Sequence, residues 1–138
     1  MNQNLTGVPC HLKLVPSELL VRFAPLHEDA AVAYYDRDVM DIDVTPGSLK
    51  LGDTEQDGLY QKRHTFEVKN LGVDVQRKFV ELSKRTLVAF YQDAKGRQKV
   101  SGSPLYPLRM TVQPNGGTYA CTLTGKTPWM DLFVIVGS

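Results

Sequence analysis

The chain has 138 residues, 42% hydrophobic and 22% charged, with 16 Lys and Arg against 15 Asp and Glu. This is the length of one domain and the composition of an ordinary folded protein, which excludes a disordered chain. Two cysteines exclude a disulfide-dense scaffold, no apolar run reaches the roughly 18 residues of a membrane span, and Met1 to Asn4 do not begin a secretory signal.

Residues 1–9 are polar, end in Gly7-Val8-Pro9 and read as a flexible arm, leaving 10–138 as a single mostly-β domain. His11 to Val15 alternate as a strand stopped by Pro16. Glu18 to Phe23 fit either a short strand or a turn of helix. Ala30 to Tyr35 are apolar. Val39 to Val44 alternate, with Met40, Ile42 and Val44 on one face of a half-buried strand. Thr45-Pro46-Gly47-Ser48 is a turn, and Leu51 to Gly58 read as an exposed loop. In Leu59 to Val68, one face carries Tyr60, Lys62, His64, Phe66 and Val68.

One helix is expected over about residues 75–85, with Asp74 as its N-cap. Val75, Phe79 and Leu82 form its apolar stripe, and Lys84 and Arg85 complement the dipole of its last turn. Thr86 to Gln92 are apolar on both faces, as in a central strand. The Asp93–Gly96 hairpin loop leads to a return strand over Arg97 to Ser101, and Pro104 and Pro107 mark a loop. The strongest local signal is a hairpin: Leu108, Met110 and Val112 alternate before Pro114-Asn115-Gly116-Gly117, and Tyr119, Cys121 and Leu123 alternate after it. Trp129 to Val136 form a last strand. Eight to ten strands and one helix predict a mainly β protein, a β-sandwich or small β-barrel with one packed α-helix.

No catalytic signature stands up. Gly125-Lys126-Thr127 mimics the end of a P-loop, but a strand precedes it and Pro128 and a strand follow instead of a helix, so a strand and turn are expected here. Cys10 and His11 are adjacent and point to opposite faces of a strand, Cys121 lies on an apolar face, and His11, His27 and His64 share no metal-ligand spacing. Asp36, Asp38, Asp41 and Asp43 lack the spacing of a calcium loop. The aromatic residues carry no stacking signature for nucleic acid. The expectation is a non-enzyme with no cofactor and no metal.

Charge is unevenly distributed: residues 1–60 carry a net −6 and residues 61–138 a net +7. Opposed charge of this kind suits head-to-tail contacts that build rings or filaments. The expected interface sets the acidic Asp36, Asp38, Asp41 and Asp43 against Lys62, Arg63, Lys95 and Arg97 of a neighbour.

The run Leu87 to Arg97, then Tyr106-Pro107-Leu108-Arg109, then Asn115-Gly116-Gly117-Thr118-Tyr119, then Leu123 to Pro128 resembles small structural proteins of tailed phages and prophages of gut bacteria. The resemblance implies a β-rich subunit of a tail or head–tail region, repeated in a ring or tube. It implies contacts with its own copies and other virion proteins, and assembly in the bacterial host cytoplasm into the virion. Neither a membrane nor a nucleic acid is expected as a partner. The alternative is a monomeric ligand- or protein-binding β-module.

Overall fold

The computed structural model describes residues 11–27, 30–35, 40–43, 45, 48–69, 72–92 and 96–137. The flexible arm expected over residues 1–9 lies outside them. Among them are eleven strands: β1 (His11–Pro16), β2 (Leu20–His27), β3 (Ala30–Tyr35), β4 (Met40–Asp43), β5 (Asp53–Gln56), β6 (Leu59–Lys69), β7 (Thr86–Gln92), β8 (Gln98–Ser101), β9 (Leu108–Asn115), β10 (Thr118–Thr127) and β11 (Leu132–Gly137). A 3₁₀ turn, Ser17–Leu19, joins β1 to β2, and one helix, α1 (Val73–Leu82), lies between β6 and β7. The described residues are mainly β, with a single helix among them.

The strands form one forked sheet rather than two separate sheets. Along one edge β7 pairs with β1, Leu12 opposite Tyr91 through Pro16 opposite Leu87, and β1 in turn pairs with β4. The other edge of β7 is divided. Thr86 and Leu87 pair with β9, whereas Ala89 to Gln92 pair with β8. One branch continues β9-β10-β6-β5 and the other β8-β11-β3-β2, so the sheet is open and ends at β5, at β2 and, beyond β1, at β4.

Alternation along β7 explains why the fork holds. Leu87, Ala89 and Tyr91 enter one core with Leu12, Leu14, Phe66, Met110, Cys121 and Leu123. Val88 and Phe90 enter a second with Val15, Ala31, Ala33, Val100, Leu132 and Val134. Both faces of β7 are therefore dry, which accounts for its continuous apolar run. α1 covers the first core with Phe79 and Leu82, the Phe79 ring standing edge-on to Tyr119 at 5.8 Å.

Three local features differ from expectation. α1 begins at Val73, because Gly72 takes φ 117° and turns the chain into the helix. Asp74 therefore sits in the first turn, suited to the dipole, and does not cap. The helix ends at Leu82, where Lys84 N–H bonds Glu81 O and Arg85 N–H bonds Leu82 O in tighter i to i+3 turns. Arg85 then reaches Glu18 and Glu81. Second, the expected loop 51–58 contains β5. Asp57 (φ 55°) and Gly58 (φ 81°) make the two-residue turn that folds it onto β6. Third, Gly125-Lys126-Thr127 is neither a loop nor a turn but the end of β10, in register with Lys62, Gln61 and Tyr60.

Candidate functional site

A polar cluster occupies the region where the two branches part. Alternation along β6 directs Lys62, His64, Phe66 and Val68 inward, so an ammonium and an imidazole face the interior. The Lys62 side chain is fully buried; its Nζ lies 2.7 Å from Asp53 Oδ2 on β5 and 2.9 Å from Asp131 Oδ1 ahead of β11. Asp53 is directly opposite Lys62 in the β5–β6 register. Tyr91 of β7 donates its hydroxyl to Asp131 Oδ2. His64 Nε2 is 2.8 Å from Ser101 Oγ on β8 and 3.9 Å from Asp131 Oδ2. Stem and both branches thus contribute.

The tautomer of His64 follows from its partners. The backbone N–H of Gly52 can only donate, and it points at Nδ1 over 3.3 Å. Neutral His64 then carries its proton on Nε2 and donates it to Ser101 Oγ. A base that activates a hydroxyl must accept at that nitrogen, so the pair is not arranged as nucleophile and base. Burial lowers the His64 pKa; Asp131 raises it, Lys62 lowers it and Asp53 raises it, each by a smaller effect. The neutral form is the one that this hydrogen-bond pattern uses.

The expected interface residues divide. Lys62 is corrected outright: it is 2% exposed and neutralised inside the chain, because the register of β6 turns it toward the core. Arg63, the next residue, points outward and lies in one cross-strand row with Thr124 of β10 and Arg109 of β9, all exposed. An open groove of about 510 Å³ runs beside this row, with Arg63 and Lys126 among its lining residues. Arg97 is exposed, its guanidinium 4.6 Å from the Phe133 ring. Asp41 and Asp43 lie on β4 opposite Lys13 and His11, on the other side of β7 from Arg63. Asp36, Asp38 and Lys95 lie outside the described residues. Two ion pairs, Lys62–Asp53 and Arg85–Glu18, join the acidic and basic halves of the sequence within the chain.

Cys121 is buried against the first core, and burial pushes its thiol up to about 12. Among the described residues no three His, Cys, Asp or Glu side chains converge as metal ligands. Sequence reasoning missed Asp53, Tyr91, Ser101 and Asp131 as partners. The available signal was Lys62 on the face shared with Phe66 and Val68, since a core-facing cation needs a buried anion. A different feature marks the surface. Leu105 is 85% exposed and Met130 59%, beside an edge-to-face contact of Tyr106 with Trp129 at 5.8 Å.

Comparison of the chain with models of protein families, with curated proteins and with solved structures finds no match.

Proposed function

We propose that this chain is a non-enzymatic structural subunit, of the kind found in the tail or head–tail region of a phage particle, which joins its own copies and companion proteins through its surface. The observation that carries the reading is the pair of apolar loops, with Leu105 and Met130 exposed beside Tyr106 and Trp129. Contiguous exposed apolar surface in a folded protein marks a place where another molecule docks. The basic row of Arg63 and Arg109 supplies the charged part of such a surface. The particle assignment itself rests on the resemblance of residues 87–128 to phage structural proteins.

Native mass spectrometry of the purified chain tests the reading. Oligomers are expected, and Leu105→Glu combined with Met130→Glu is expected to shift them toward monomer. A wild-type chain that stays monomeric over the whole accessible concentration range overturns self-assembly and favours the β-module reading.

A further inference from the structure

The Lys62 ammonium, on a fully buried side chain, is held between two carboxylates, and this arrangement allows more than an ion pair. We propose that Lys62 and Asp131 condense to an intramolecular isopeptide bond, with Asp53 relaying the protons.

The geometry assigns the three roles. Lys62 Nζ is the nucleophile: its side chain is fully buried and it touches both carboxylates, at 2.7 and 2.9 Å. Asp131 is the electrophile. It is the more buried of the two acids, with side-chain exposure of 9% against 22% for Asp53. Its Oδ2 accepts the Tyr91 hydroxyl, which is placed to stabilise negative charge on that oxygen when the carboxyl carbon becomes tetrahedral. Asp53, nearer to solvent and directly opposite Lys62, is the proton carrier.

The step balances without an oxidant or co-reactant. Asp53 takes a proton from the ammonium, freeing the amine lone pair, and passes it to the Asp131 carboxylate. Nζ attacks Asp131 Cγ, a C–N bond forms, and the second nitrogen proton follows the same route to Oδ1. The Cγ–Oδ1 bond breaks and one water leaves. An ammonium and a carboxylate become a neutral amide, and Asp53 ends as it began. Two features favour the product. Fixed reactants close together lose the entropy cost of meeting, and a neutral amide removes the desolvation penalty of two buried charges. The bond would tie β6, on one branch of the fork, to the start of β11 on the other. It forms once per chain, is independent of the assembly reading, and a monomer can carry it.

Denaturing intact-mass measurement of the full chain tests the proposal, followed by proteolysis and fragmentation of the peptides. The expected mass is one water below that of the sequence, with a branched peptide joining the segments around Lys62 and Asp131. Asp53→Ala, Lys62→Arg and Asp131→Ala are each expected to restore the missing water. A wild-type chain at its full sequence mass overturns the proposal, and needs no variant to fold. So does a water deficit that maps to a succinimide at Asp57-Gly58. Retention of the branched peptide in Asp53→Ala overturns the relay role.

Discussion

Lys62 and Asp131 meet across the fork of the sheet, Nζ 2.9 Å from Oδ1, one on β6 and the other just ahead of β11. No backbone pairing joins those two strands. Side chains therefore hold the branches together where the hydrogen-bond ladder does not.

The first prediction concerns that link. With the link as an ion pair, before any condensation, Lys62→Met keeps the apolar stem and deletes the charge, leaving Asp131 buried with no cation. Stranding a buried charge in this way costs about 3 kcal/mol or more. Urea unfolding is the measurement, and a loss below about 1 kcal/mol, the worth of an exposed pair, would mean that the carboxylate finds water. Combining Lys62→Met with Asp131→Leu and Asp53→Leu is expected to recover much of the loss, because apolar replacement of a whole buried ionic group is often neutral.

His64 gives the pH dependence. Burial, the largest effect, depresses its pKa in the folded protein below the ordinary value of 6.5. The unfolded chain then binds the proton more readily, so stability is complete above pH 6.5 and falls as the pH drops toward the folded pKa. Protonation of Nδ1 also sets two donors, the ring and the Gly52 N–H, against each other. In His64→Gln this component of the acid loss disappears. Stability of both proteins between pH 7 and pH 5 is the check; parallel curves would show that His64 does not titrate on unfolding.

How much of this was legible in the sequence depends on how local each signal was. The β9–β10 hairpin was readable because strict alternation flanks a two-glycine turn, and Gly116 supplies φ 66° between the paired Asn115 and Thr118. β7 was readable because both of its faces are apolar. β5 was not: all four of its residues are exposed, so it carries no hydrophobic pattern, and only the Asp57-Gly58 turn could have signalled it. The fork was hidden for a different reason. Whether β8 or β9 takes the edge of β7 depends on pairings between distant segments, and the same pairings bring Ser101 to His64. The inward position of Lys62 was visible in the alternation, but its partner Asp131 sits in an apolar run with nothing local to mark it.

Cys121 provides a probe of opening. A thiol held near pKa 12 and buried offers almost no thiolate to an alkylating reagent. In a Cys10→Ser background, iodoacetamide labelling at mildly alkaline pH is expected to be negligible in the native protein and rapid in denaturant. Fast labelling without denaturant would show that the first core opens locally.

Gly125 tests the junction of β10 with the loop before β9. A Cβ built there would lie 2.6 Å from Leu108 Cδ2 and 2.9 Å from Pro107 O. Leu108 can turn only by disturbing a core in which it is completely buried, and a backbone carbonyl cannot turn away alone. Gly125→Ala is therefore expected to destabilise by about 1–3 kcal/mol, the usual cost of overpacking. Gly117→Ala, where the added methyl meets nothing within 4 Å, is the control. If thermal or urea unfolding gives the two variants equal stability, the close approach of β10 to Pro107 is relaxed in solution, and the loop that carries Leu105 and Tyr106 is not held against β10.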